Sequence, residues 1–570
     1  MKSGILSPNI SDRDTLTSSM NIDELRRFVI DNRRSLIFFV GAGASNAGNT
    51  GMPTAGNLLR QILLDALERS ETSDTGSSPI TQAIKDISNH IGFEITLNDF
   101  WQICQTATAL IYKSFAELER GCMPNFVHSF LAHWLSTGGI VVTTNYDCLI
   151  EREWQKIDRD ITVRYQEEGL NSFSSWQEDL DRGGCLFKIH GSLESPASCL
   201  GALEHVGTRL IGHRANMLTE IVRQRPLCFV GWRGIDPDIP PLLADSYNTR
   251  DSALPIFWIH FEGEGSIQSA IERTTPLIKK YASSCPILTD ANRACEEMLR
   301  WINVRTIVTP SSTTASLDFS EAVKQCSRTG ATRFVGIVLR RAGKLNLSGQ
   351  VLRIALKLAV TAEEKSAALQ EMALVEQQKP NSDMKRSVSL IDQAREVLGE
   401  KPDPKMQLNA DFGLLSMTIV TLRSHPWSLL KIPLLFRRYS QDIELLRRSK
   451  GDRESLALHE SLLHLYLGRL RLNFFGWLAI VAPLLANWIM QPFHIARSTI
   501  DDAKDIHLHS RVDVLAYRAV ALARLKRCAG LSEDIAEIER LVLILKDDAR
   551  EKHWKNQRRE IEQGCNKSYI

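Results

Sequence analysis

Leu36-Ile37-Phe38-Phe39-Val40 runs directly into Gly41-Ala42-Gly43-Ala44-Ser45, and this junction limits the possible folds more than any other stretch. Five consecutive apolar residues stopped by glycine are the pattern of a parallel strand buried on both faces. Glycines at its end tolerate positive φ and carry no Cβ, so the backbone there can approach a ligand closely. A helix expected over Ala55 to Leu67 would aim its amide-rich N-terminus back at the turn, which suits a pyrophosphate. Gly41-x-Gly43 lacks the third glycine of the dinucleotide fingerprint, so alone it is equally a bare structural turn.

Three further stretches repeat the design. Gly139 to Asp147 is a β-branched run ending in Thr144-Asn145-Tyr146-Asp147, and Gly184 to Ser192 ends in Lys188-Ile189-His190-Gly191-Ser192. Pro226 to Trp232 ends in Gly231-Trp232. Ligands of open parallel sheets bind outside the carboxyl ends of the strands, so these polar ends are expected to converge on one crevice.

The motifs Gly41-Ala42-Gly43-Ala44-Ser45, Thr144-Asn145-Tyr146-Asp147 and His190-Gly191-Ser192 resemble the sirtuin motifs GAGxS, TQNxD and HGS, in the same order. Tyr146 and the later Phe229-Val230-Gly231-Trp232 with Asp236-Pro237-Asp238 look more like the SIR2-like NAD-hydrolase branch of bacterial anti-phage defence. The resemblance spans residues 30 to 305 or so. It implies an α/β fold with a Rossmann-like parallel sheet and NAD+ as substrate. It carries a catalytic role to Asn145 and His190. To Gly41, Ala42, Gly43, Ser45, Pro53, Thr144, Asp147, Gly191, Ser192, Gly231 and Asp236 it carries NAD+ binding.

The residue types suit that chemistry. Nicotinamide leaves as a neutral base from a cationic linkage, so the site has to orient an acceptor at the ribose carbon more than supply a strong nucleophile. An asparagine amide orients water or a hydroxyl without adding charge, and an imidazole takes a proton near neutral pH. Asp147 has two readings: a partner for nicotinamide or Asn145, or a cap on the helix that follows. Ser45 reads as a phosphate or ribose ligand or as a turn residue. Asp236 and Asp238 read more simply as loop and cap residues. His128 and His133 could be metal ligands by spacing, but an amphipathic helix packed beside the Gly139 strand accounts for both.

Two departures from deacylating sirtuins stand out. Glu194 to His213 contains only Cys199, so the four-cysteine zinc module of those enzymes is not expected. Thr54-Ala55-Gly56 follows Pro53 where deacylases carry Asp-Phe-Arg. Both count against peptide deacylation and leave NAD+ binding in place. The eleven cysteines are scattered without a Cys-x-x-Cys pair and read as small buried apolar residues. With no apolar h-region near Met1, they point to a reducing cytoplasmic setting.

The 570 residues, 43% hydrophobic, suffice for more than one core. The expected organisation is a polar tail over 1–21, the SIR2-like domain over 22–308, a Ser/Thr/Pro linker over 309–317 and an all-α region over 318–570. A turn-rich loop is expected over 71–82 and a lid or small helical layer over 97–135. The last region reads as paired helices of tetratricopeptide-like kind without a clean period. Phe474 to Phe493 carries no formal charge and approaches spanning length. Pro483 and Asn487 within it favour a buried helix or a protein-binding face over a membrane span. Net charge is +2, from 69 basic against 67 acidic residues, which argues against a nucleic-acid partner.

The resemblance therefore implies a regulated NAD+ hydrolase that aborts phage infection by depleting NAD+, silent until its helical region is triggered. It also implies a homo-oligomer, a separately encoded sensor protein, or both. Two other classes stay open: a non-catalytic module sensing NAD+ or ADP-ribose, and an NAD-dependent deacylase or ADP-ribosyltransferase.

Overall fold

The computed structural model describes residues 10–564 other than 32–34, 48–49, 54, 71–78, 88–92, 168–171, 200–209, 211, 235, 237, 248, 251–253, 275–277, 306–317, 381–382, 400–403, 422–430, 449–452, 480–482, 503–507, 526–529 and 546–547. The expected linker 309–317 and most of the expected loop 71–82 lie outside the described residues. The chain forms two compact units, one of residues 1–58 with 108–318, the other of residues 59–107 with 319–570.

The first unit is built on seven parallel strands: β1 (Ile37–Val40), β2 (Ile140–Thr143), β3 (Thr162–Arg164), β4 (Cys185–Lys188), β5 (Leu227–Val230), β6 (Ile256–His260) and β7 (Cys285–Leu288). Their order across the sheet is β3-β4-β2-β1-β5-β6-β7. The chain thus builds one side of β1 first and returns to build the other, and the reversal falls at the end of β1. This is the Rossmann-like parallel sheet that the apolar runs imply.

The four-residue strands are largely apolar because both faces of the sheet are covered, with Thr143 and Lys188 as the polar last residues of β2 and β4. Phe38, Val40, Val141, Leu186 and Val230 pack with Phe130 and Trp134 of the helix Phe126–Ser136 and with Met298. Ile37, Phe39, Val142, Phe187 and Phe229 pack on the other face with Leu218 and Ile221 of the helix Gly212–Gln224. Each such side chain removed from water contributes roughly 1.5–3 kcal/mol, which favours this register over a slipped one. A helix over Ile10–Asp31 begins inside the stretch expected as a polar tail. It is tied to β7 by Asn21 Nδ2 donating to Pro286 O at 2.7 Å.

The second unit is helical among the described residues. The helix Phe93–Ile103 packs on Arg328–Arg341 through Phe100 against Phe334 and an Arg341–Asp99 ion pair at 2.6 Å. Asp65 accepts the Phe319 N–H at 2.8 Å. Successive helices then pack in pairs, Arg328–Arg341 with Leu345–Leu358 and Ala362–Gln378 with Met384–Val397. The uncharged run Phe474–Phe493 falls on the helices Arg453–Ala479 and Pro483–Asp502. Ala486, Ile489, Met490 and Phe493 are buried in the core of this unit. Residues 480–482 and the side chains of 473–485 lie outside the described residues. No helix among the described residues is long and apolar enough to cross a membrane.

Candidate active site

Strand register brings the polar ends together. Val40 pairs with Thr143 on one side and Val230 on the other, and Thr143 pairs with Lys188. The ladder continues one residue further: Thr144 N–H donates to Val40 O, Gly41 N–H to Val230 O and Ile189 N–H to Thr143 O. Asn145 and His190 therefore both stand two residues past one row, on strands spaced about 4.8 Å apart.

The two glycine turns lean on each other. Gly43 N–H donates to Gly231 O at 2.8 Å, and a Cβ on Gly43 would fall 2.7 Å from that oxygen. A Cβ on Gly41 would meet Trp232 Cα at 2.7 Å, and Gly231 holds φ +63° against the Ala44 amide. The glycines at the end of β1 are thus required by the neighbouring backbone itself. Ala42 and Gly43 are exposed, and a single helical turn, Gly43–Asn46, follows directly. The expected helix follows at Ala55–Glu68.

Ser45, Asn145 and Asp147 meet as one buried cluster. Asn145 Nδ2 donates to Ser45 Oγ at 3.0 Å, and Ser45 Oγ donates to Asp147 Oδ2 at 2.8 Å. Asp147, one residue ahead of Cys148, the N-cap of the helix Leu149–Ile157, also accepts the Leu149 N–H through Oδ1 at 3.2 Å, and its link to Asn145 runs through Ser45. Asn145 Oδ1 is buried without a hydrogen-bond partner among the described residues. A buried carbonyl oxygen left in this state costs about 1–3 kcal/mol, and such atoms concentrate where a ligand supplies the missing partner.

His128 enters the same cluster with Nε2 3.2 Å from Ser45 Oγ. It sits at the third position of the helix Phe126–Ser136, where its Nδ1 accepts the Asn125 N–H and Asn125 Oδ1 accepts the His128 N–H. Asn125 Nδ2 in turn donates to Ala44 O and Ala47 O, at 2.8 and 2.6 Å, fixing the turn after β1. The helix-packing reading of His128 is correct as far as it went. The link to Ser45 was missed, although Asn125-x-x-His128 has the spacing of a capping box.

His190 is buried beside Asp238, whose Oδ2 and Oδ1 lie 3.0 and 3.3 Å from His190 Nε2. Asp238 read as a loop or cap residue, so this partnership is a second omission. Arg214 supports the strand end, donating to Ile189 O at 2.6 Å and Tyr165 O at 2.9 Å. The Tyr146 ring lies 6.3 Å from the His190 ring, centroid to centroid.

Lys188 is wholly buried beneath the loop that carries Asn145 and Asp147. Its ammonium donates to Asp147 O and Glu151 Oε1, both at 2.6 Å, and to Tyr146 O at 3.2 Å. Burial works to lower the lysine's pKa, but Glu151, Cys148 and Asp147 outweigh it and hold the group above its ordinary value. Three donors matched to three acceptors are what a charged ammonium requires.

The remaining expected residues are more peripheral. Thr144 contributes its backbone to the ladder. Gly191 turns the chain at φ +96° against Ser198, and Ser192 Oγ accepts the Glu194 N–H at 3.4 Å and lies 3.5 Å from Cys148 Sγ. Asp236 accepts the Trp232 indole N–H. Pro53 is half-buried in the loop after Thr50, whose hydroxyl donates to Ser45 O. Among the cysteines, Cys199 is buried with its thiol pushed up to about 12 by that burial. No group of three or more His, Cys, Asp or Glu among the described residues could hold a metal ion.

A family model described as SIR2-like domain matches residues 139–284. No curated protein matches the chain. The matched residues hold β2 to β6, with Asn145, Asp147, His190 and Asp238, and the sheet joins them to the glycine turn of β1 outside the match. By motif order, sheet and match together, the chain carries a SIR2-like domain.

Proposed function

We propose that the chain hydrolyses NAD+ to ADP-ribose and nicotinamide, as a regulated effector that depletes NAD+ in phage-infected cells. SIR2-like domains bind NAD+, and the residues here fit that substrate. The observation that carries the reading is Asn145: its amide nitrogen is held by Ser45 while Oδ1, buried, has no partner among the described residues. That oxygen is suited to hold a water or ribose hydroxyl, with His190 and its Asp238 partner at the adjacent strand end to take the proton.

In the step proposed, a water oxygen bonds to the ribose C1′ as the bond from C1′ to the nicotinamide nitrogen breaks. The bonding pair returns to the ring, which leaves neutral, and the water proton passes to His190 and then to solvent. The glycine turns at Gly41–Gly43 and Gly231 would receive the phosphates and ribose. Control through the helical region, by self-assembly or a separately encoded sensor, belongs to this reading on the family resemblance alone.

The test is NAD+ loss and nicotinamide release by the purified chain, alone and with lysate of phage-infected cells. Asn145→Ala and His190→Ala serve as controls. Release that both substitutions abolish is expected. NAD+ bound without turnover in either setting would shift the reading to a sensor, and turnover untouched by both substitutions would remove it.

A further inference from the structure

We infer that His128 is a positioning residue for Asn145, acting through Ser45 as a fixed Nε2–H donor; this rests on the NAD+-cleavage reading of the same site. The protons in this cluster can be assigned from their partners. His128 Nδ1 accepts the Asn125 backbone N–H at 3.0 Å, so that nitrogen carries no proton. Burial pushes the imidazole down to about 4, so the ring is neutral at physiological pH. A neutral ring with a bare Nδ1 has its hydrogen on Nε2, and Nε2 faces Ser45 Oγ at 3.2 Å.

Ser45 Oγ has one hydrogen and two lone pairs. Its neighbours are His128 Nε2, the Asn145 amide at 3.0 Å and Asp147 Oδ2 at 2.8 Å. The carboxylate can only accept, so it takes the single hydroxyl hydrogen. His128 fills one lone pair, and the other must be filled by a donor, which makes the Asn145 group facing Ser45 its NH2. The amide oxygen is thereby turned away from Ser45 and is the buried Oδ1 without a partner among the described residues. Reversing any one proton would set two acceptors or two donors against each other elsewhere in the cluster.

The same wiring rules out an activated serine. In a nucleophilic triad the imidazole accepts from the hydroxyl and donates to the carboxylate. Here the imidazole donates to the hydroxyl, and the hydroxyl donates to the carboxylate. Ser45 and His128 serve instead to fix which end of the Asn145 amide meets the substrate.

The experiment compares His128→Leu, His128→Gln, Ser45→Ala and His128→Leu/Ser45→Ala in the whole chain, with NAD+ as probe. Glutamine is an ordinary capping-box residue, and it can offer an acceptor to Asn125 and a donor to Ser45. Expected are a fall in kcat of about tenfold or more for His128→Leu with KM little changed, and recovery to within a few-fold for His128→Gln. In the Ser45→Ala background, His128→Leu should cost nothing further. Losses that multiply, or a well-folded His128→Gln as poor as His128→Leu, overturn the proposal.

Should the unsubstituted chain cleave no NAD+ at all, the hydrolase reading fails on its own, and the wiring is judged by ¹⁵N imidazole resonances. An Nε2–H tautomer for His128 that persists between pH 5 and pH 8, on the order of one unit above the burial-lowered titration, supports it. An Nδ1–H tautomer or a charged ring overturns it.

Discussion

His190 Nε2 and the Asp238 carboxylate stand 3.0 Å apart with both side chains buried, although 48 residues separate them in the chain. In the proposed NAD+ cleavage, the carboxylate would fix the orientation of the imidazole and compensate its positive charge when it takes the water proton. Asp238→Asn keeps the shape and removes the charge. A fall in kcat of about tenfold to hundredfold with near-normal KM and melting temperature is expected. Steady-state NAD+ kinetics check it, and an unchanged kcat would make Asp238 a loop residue.

Lys188 anchors the carbonyls of Tyr146 and Asp147 from below. Lys188→Met leaves Glu151 as an unpaired buried carboxylate, and a loss of about 3–5 kcal/mol is expected. Adding Glu151→Leu should restore much of that stability, because an apolar pair replaces an ion pair at low cost. Turnover should not return, since the loop carrying Asn145 stays unanchored. Denaturant melts beside NAD+ assays separate the two effects, and recovery of both would reduce Lys188 to a stability element.

The contact between the glycine turns predicts a contrast. Gly231→Ala places a Cβ against the Ala44 amide at φ +63°, whereas Gly265, at φ +82°, has open space around it. Gly265→Ala should cost only the left-handed penalty of about 1–2 kcal/mol. Gly231→Ala should cost more and abolish NAD+ binding. Calorimetric titration with NAD+ and thermal melts compare them, and equal penalties would contradict the close approach.

Burial pushes the Asp442 carboxyl up to about 7, and neighbouring Asp411 adds to the rise. An unfolded aspartate titrates near ~4, so the folded state binds this proton more tightly. The stability it contributes is fully present below ~4 and is lost as pH rises through about 7. Asp442→Asn, which mimics the neutral acid and can keep the Gln407 bond, should melt with the unsubstituted chain at pH ~4 and several degrees above it at pH ~8. A gap independent of pH would place the effect elsewhere.

Much of the sheet was legible because each four-residue strand is largely apolar on both faces and ends in glycine or a polar cluster. β3 was not, since Thr162-Val163-Arg164 buries only Val163 and so presents no apolar run. Asn145 and His190 were legible as strand ends, where residue type and position coincide. Asp238 and His128 were not. Their roles depend on partners far away in the chain, and spacing along a sequence does not report a hydrogen bond across a crevice. Gly41 and Gly43 read equally as a ligand approach or a structural turn, and the structure gives them to the packing of one turn on another.

The ammonium of Lys188 has no contact with solvent. An acylating reagent that marks accessible lysines would pass it by while the strand ends stay closed. Acylation at this one position would then time how often the loop bearing Asn145 breathes open, giving the domain an internal clock that needs neither substrate nor trigger.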